Sequence, residues 1–409
     1  MKRARLPLLA VLPVSVISFV LAVPLVAGDH PLRWESGSLL PTLVLKGDQT
    51  AAKKTPTADG TTSDASAPAD ASPAKVAQEW KKGMPQWGVQ LYWEDNPKHS
   101  LKYIEQQART QADYVVGLHA NSISVSFPFY TGTRTSTEIR RGDKTPTPER
   151  IAQVLRIFHE AGLRTTVRPL MDEKSLDTAN GGWRGNIKPT DRTAWFASYK
   201  AFMTPYLKAA HSERAATFVI GTELNSMEGD PRWETLVDGA EKTFGGEVAY
   251  DANWDNYVEG PITMPVSHLG VDAYFPVKVA DTASVSTLVA GWNDWLDKKA
   301  TGPLPKITIS EAGIGAMNGA YHSPGNFYAK RTVNPQVQAN WYTAVCKVVQ
   351  ERKMSGVYWW SIYFDTNPNV KPDDKIASRL DFAGRPLSEK AITSCFTSDY
   401  AGPGTTTAG

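Results

Sequence analysis

The chain has 409 residues, 41% of them hydrophobic, enough to bury the core of one large domain with further segments around it. Lys and Arg number 44 against 42 Asp and Glu, and this near-balance argues against a nucleic-acid partner, whose phosphates call for a basic excess. Thirteen Trp is a high count. Several fall beside predicted strand ends, so the aromatics divide between core filling and flat apolar platforms.

The N-terminus reads Met1-Lys2-Arg3-Ala4-Arg5, followed by an uncharged apolar stretch from Leu6 to Ala27. Residues 1–27 are either a secretory signal, cleaved near Val26-Ala27-Gly28, or a membrane anchor. The stretch is long enough to cross roughly 30 Å of hydrocarbon despite Pro7, Pro13 and Pro24. Both readings place the remainder outside the cytoplasm. Residues 28–47 hold Trp34 and a Leu-rich run from Leu39 to Leu45 and receive no assignment. Residues 48–74 are rich in Thr, Ala, Asp, Ser and Pro, without aromatics. Such a composition does not bury enough apolar surface to offset the entropy of ordering, and it predicts a disordered linker.

From residue 80 to 397 strands and helices alternate. The predicted strands are Trp87–Trp93, Ser122–Phe129, Arg164–Leu170, Thr217–Glu223, Glu247–Asn253, Leu269–Phe275, Lys306–Glu311 and Gly356–Ile362. Between them lie amphipathic stretches. In Pro148–Ala161 the residues Ile151, Val154, Leu155 and Phe158 share a face, and Ala194–Ala209 presents Trp195, Phe196, Tyr199, Phe202, Met203 and Tyr206. Eight strands alternating with helices predict a (β/α)8 TIM barrel. The alternative, an open doubly wound sheet, would carry a Gly-rich phosphate loop after an early strand, and none is present. Residues 398–409 read as a disordered tail. The two cysteines, Cys346 and Cys395, form a disulfide if the chain is exported, and are otherwise buried thiols.

The chemistry concentrates at strand ends, where a barrel carries its site. Glu223 closes the fourth predicted strand and Glu311 the seventh. Burying an acid is costly, so folding alone explains these positions poorly. A pair of carboxyls can cleave a glycosidic bond, one protonating the leaving oxygen while the other attacks or activates water. Because Ile307, Ile309 and Glu311 alternate along one face, Glu311 is expected to point into the barrel mouth. Around the pair the strand ends supply Trp93, Arg168 (with Asp172 as a possible ion-pair partner), Asn225, Asp251, Asn253, Asp272, Tyr274, Trp359 and Trp360. This mixture of acids, amides, one Arg and aromatics suits a sugar. No His-Glu-x-x-His spacing indicates a metal, no cofactor is expected, and no Gly-x-Ser-x-Gly elbow supports an esterase.

Several segments resemble a known family. They are Trp87-Gly88-Val89-Gln90, Trp183-Arg184-Gly185, the Trp195-Phe196…Tyr199 helix, Gly221-Thr222-Glu223-Leu224 and Gly270-Val271-Asp272-Ala273-Tyr274-Phe275-Pro276. Ser310-Glu311-Ala312-Gly313, Gly356-Val357-Tyr358-Trp359-Trp360 and Asp381-Phe382…Gly384-Arg385-Pro386 complete the set. Together they resemble clan A glycoside hydrolases, and more narrowly glycoside hydrolase family 113, whose characterised members are retaining β-1,4-mannanases. The resemblance implies Glu223 as acid/base and Glu311 as nucleophile, Trp360 as a sugar platform, and Tyr274 as a partner of Glu311. Thr222 departs from the broader clan, which places Asn there to hold the substrate 2-hydroxyl; Asn225 or Asn253 would have to replace it. The expected protein is an exported, monomeric retaining β-glycoside hydrolase acting on polysaccharide, most directly an endo-β-1,4-mannanase. The rivals are a β-glucanase, a hydrolase of bacterial surface polysaccharide, and a non-catalytic glycan-binding barrel.

Overall fold

A computed structural model describes residues 72–404, apart from residues 174, 175, 177, 377 and 378. The expected export segment, residues 28–47 and the linker up to residue 71 lie outside the described residues. Eight parallel strands close into a barrel: β1 (Gln86–Tyr92), β2 (Ser122–Thr131), β4 (Arg164–Met171), β5 (Thr217–Thr222), β6 (Glu247–Asn253), β7 (His268–Asp272), β8 (Ile307–Ala312) and β9 (Gly356–Tyr363). Closure comes from β1, which pairs with β2 on one side and β9 on the other. A two-residue strand that the pattern did not predict, β3 (Ile139–Arg140), pairs antiparallel with the end of β2.

A helix follows each barrel strand: α1 (Leu101–Gly117), α2 (Pro148–Glu160), α3 (Arg192–Ser212), α4 (Arg232–Phe244), α5 (Trp254–Glu259), α6 (Val285–Asp297), α7 (Pro335–Glu351) and α8 (Pro386–Phe396). In α2 the Thr147 side chain accepts from the Arg150 N–H and Pro148 occupies the first turn, where its missing donor costs nothing. Its predicted face, Ile151, Val154, Leu155 and Phe158, is fully buried. The aromatic face of α3 is buried in the same way, and the Tyr199 hydroxyl donates to the Ile220 carbonyl at 2.9 Å, tying the helix to β5 just ahead of Glu223.

The predicted strands are all present, with ends displaced by a few residues. The largest displacement is on β7, which stops at Asp272 and not at Phe275. Phe275 turns out of the barrel, its ring centroid 4.9 Å from Trp292 and 6.0 Å from Trp295 on α6, so packing against the helix layer overrides strand continuation. The Cys346–Cys395 disulfide joins α7 to α8 with a Cα separation of 5.8 Å. On a chain-entropy basis such a loop contributes up to about 4 kcal/mol. The first part of the expected tail is held to the barrel: Tyr400 lies 5.9 Å from the Trp87 ring and its hydroxyl donates to the Met354 carbonyl at 2.7 Å. An aromatic with a satisfied hydroxyl outweighs the polar composition around it. Residues 405–409 lie outside the described residues.

Candidate active site

Glu223 sits one residue beyond the end of β5, at a backbone φ of 52°. This left-handed conformation costs a non-glycine residue about 1–2 kcal/mol. Neighbours hold it there. The Glu223 N–H donates to the Asp251 carbonyl at 2.8 Å, and the next N–H, of Leu224, donates to the Tyr250 hydroxyl at 2.9 Å. Both carboxyl oxygens are engaged: Oε1 accepts from Asn253 Nδ2 at 2.8 Å and Oε2 from Arg184 Nη1 at 2.7 Å. Burial pushes the Glu223 pKa up to about 7; Arg184 pulls against this shift and the Glu311 charge adds to it.

Glu311 reaches the mouth by a different route from the one its alternation suggests. Thr308 and Ser310 line the barrel interior, so Ile307 and Ile309 face outward. Strict alternation would send Glu311 outward with them. Across the β7–β8 ladder, however, Val271 pairs with Ile309 and Asp272 with Glu311, leaving Ser310 as an extra residue. This bulge re-aims the following side chain, a common use of bulges beside active sites. Glu311 Oε2 then accepts from the Tyr274 hydroxyl at 2.6 Å, and Oε1 lies 2.6 Å from Arg168 Nη1.

Arg168, fully buried on β4, organises the floor. Its Nε contacts Asp251 Oδ2 at 2.6 Å and its Nη2 contacts Asp272 Oδ2 at 2.8 Å, so three carboxylates, with Glu311, share one guanidinium. Asp172 is not among its partners. Burial raises the proton affinity of Asp272 strongly and that of Asp251 as well, against the pull of Arg168. Gly270 makes the arrangement possible: a Cβ there would lie 2.1 Å from Asp251 Oδ1 and 2.6 Å from Ser310 Oγ. Ser310 Oγ completes the floor by donating to Asp272 Oδ1 at 2.8 Å.

The structure therefore gathers Glu223, Glu311, Arg168, Asn253 and Tyr274 at one rim. Trp360 joins them, half-buried, its ring 5.9 Å from the Arg168 guanidinium and 5.8 Å from the Tyr92 ring. Its neighbour Trp359 points the other way, fully buried against Tyr342 of α7 at 4.9 Å. Trp93 is a correction. Expected at the strand end as a substrate contact, it is fully buried with its ring stacked on Phe364 at 4.4 Å, turned away from the rim. Asn225, two residues beyond Glu223, has its Oδ1 buried without a hydrogen-bond partner among the described residues, as has Thr222 Oγ1. Asp251 and Asp272, expected only as strand-end acids, belong to the floor of the site, and Arg184, which was not expected there, contacts Glu223. Arg184 carried the signal, standing inside the Trp183-Arg184-Gly185 motif.

This geometry can be set beside known proteins. The profile of Glycoside Hydrolase Family 113 matches residues 91–379. Two solved structures of a GH113 β-1,4-mannanase are similar in fold, one with TM-score 0.63 at 19% identity, covering 78% of this chain and 100% of that one. The other, a complex, has TM-score 0.60 at 19% identity and covers 77% of this chain and 99% of that one. The GH113 β-mannanase of Alicyclobacillus acidocaldarius, in complex with ManMIm, has TM-score 0.61 at 17% identity and covers 77% and 97% of the two chains. No curated protein matches. With most of the barrel inside the family match, the chain belongs to glycoside hydrolase family 113 and is a glycoside hydrolase.

Proposed function

We propose that this chain is a retaining β-glycanase, an endo-β-1,4-mannanase, with Glu311 as nucleophile and Glu223 as acid/base. The observation that carries the assignment is the contrast between the two carboxyls at one rim. Glu223 holds its proton up to about pH 7, as a general acid must, while Glu311 faces the Arg168 guanidinium and the Tyr274 hydroxyl. In the first step Glu311 attacks the anomeric carbon as Glu223 gives its proton to the departing oxygen. In the second, Glu223 takes a proton from the water that displaces Glu311. Retention calls for carboxyl groups roughly 5–5.5 Å apart, against 6.5–9.5 Å for inversion. Trp360 offers a flat face beside them for a pyranose ring. Mannan as substrate is supported by the family and by the β-mannanase titles of its structural neighbours. The basic N-terminus, the uncharged run after it and the disulfide support an exported enzyme, secreted or anchored through residues 1–27.

The test is hydrolysis of mannan, β-glucan and xylan with product analysis, Glu311→Ala serving as control. Mannan fragments of retained anomeric configuration support the reading. Cleavage of glucan alone makes it a β-glucanase, and no cleavage of any glycan makes it a binding barrel.

A further inference from the structure

A general acid that must shed and regain a proton is here in direct contact with a permanent cation. Arg184 Nη1 lies 2.7 Å from Glu223 Oε2, and its Nε donates to the Met171 carbonyl at 3.1 Å. The same guanidinium faces Glu173, whose Oε1 is 3.4 Å from Nε and accepts the Arg184 backbone N–H at 3.1 Å. Arg184 thus stands between two carboxylates, one at the site and one outside it. Asn253 occupies the other Glu223 oxygen, so Arg184 holds the remaining one.

We propose that Arg184 is a positioning residue for Glu223: it stabilises the carboxylate that exists between the two halves of the reaction, and Glu173 is the counter-charge that keeps Arg184 in place. The proposal rests on Glu223 being the acid/base. In the first step the Glu223 O–H bond breaks and its proton goes to the departing glycosidic oxygen, leaving a carboxylate for Arg184 to pair. In the second step that carboxylate takes a proton from the attacking water, and Arg184 falls back on Glu173. An arginine suits the task because it keeps its charge throughout.

Among the described residues, the other charged or titratable groups facing Glu223 are Glu311 from β8, Arg168 from β4, Asp272 from β7, and the hydroxyls of Tyr274 and Tyr250. Arg168 already serves three carboxylates, and among the described residues Arg184 is the cation bonded to Glu223.

The test is the pH profile of kcat/KM on mannan for wild type, Arg184→Gln, Arg184→Lys and Glu173→Gln. Removing a cation beside an acid raises its pKa, so the alkaline limb of Arg184→Gln moves up by about one unit or more. Glu173→Gln removes a nearby negative charge and moves the limb down. Arg184→Lys keeps the charge and leaves the limb near wild type. Opposite displacements distinguish tuning of Glu223 from a structural role, which lowers rates without moving the limbs; that outcome overturns the proposal. If Arg184→Gln does not fold, the limb of Arg184→Met decides: upward supports the proposal, unmoved refutes it. Carboxyl NMR of Glu223 in the same proteins reads the displacements directly. An enzyme inactive on every glycan would then refute the function while leaving this inference to the NMR result.

Discussion

Replacing Glu223 by Gln should stabilise the protein, and the gain should grow with pH. The Glu223 carboxyl, ordinarily near 4.5, is pushed up to about 7, first by burial. Between those two values the folded chain keeps a proton there that the unfolded chain has released. Stability changes with pH in proportion to protons bound by the unfolded state minus those bound by the folded state, and here that difference is negative. Wild-type stability therefore falls across this window. At about 1.36 kcal/mol per unit, the rise from 4.5 to about 7 corresponds to about 3 kcal/mol, complete once the pH exceeds the folded pKa. Glutamine keeps the shape and a carbonyl for the Arg184 or Asn253 contact without ever ionising. The buried Asp251 and Asp272 are common to both proteins, so the comparison isolates position 223. Urea unfolding at about pH 4, 6 and 8 reads the result. We expect the variant to gain about 3 kcal/mol on wild type between the acid and alkaline ends of that series. A difference that stays flat with pH, or a wild type that gains on the variant as pH rises, would refute the claim that burial makes the Glu223 anion unfavourable.

Glu311→Ala should abolish turnover on every substrate, whereas Glu223→Ala should spare aryl glycosides with good leaving groups and recover rate with added azide; steady-state kinetics on both substrate types shows this. Arg168→Met should strand Asp251, Asp272 and Glu311 without their shared cation, costing about 3–5 kcal/mol in unfolding experiments at neutral pH. The loss should shrink as pH falls and Asp251 and Asp272, whose proton affinity burial raises, take up protons. Trp360→Ala should raise KM on polysaccharide about tenfold if the ring stacks on a sugar, the equivalent of about 1.4 kcal/mol.

The architecture was legible because it is written in local pattern. Ile151, Val154, Leu155 and Phe158 have helical spacing whatever surrounds them, and the short apolar runs read as strands for the same reason. The glutamates were legible as acids at strand ends. What the pattern did not carry was geometry created by pairing between strands. Alternation assigned Glu311 the same face as Ile309; only the register with β7 reveals the bulge at Ser310 that turns it inward. Trp93 and Tyr92 are adjacent aromatics at one strand end, and which of them faces the mouth depends on Phe364, far along the chain. Arg168 showed Asp172 nearby in sequence, yet the carboxylates it pairs with come from β6, β7 and β8. Arg184 opens a single 3-10 turn, Arg184–Asn186, too short for any periodicity to indicate the direction of a side chain.

The central claim is that Glu311 becomes covalently bound to sugar while Glu223 handles the proton. Incubating the enzyme with a 2-deoxy-2-fluoro mannosyl donor bearing a good leaving group, then mapping the labelled peptide by mass spectrometry, tests it most directly. One glycosyl group per chain, attached to Glu311, is the expected result. A label on Glu223 or another residue would contradict it. So would product of inverted configuration with no covalent adduct.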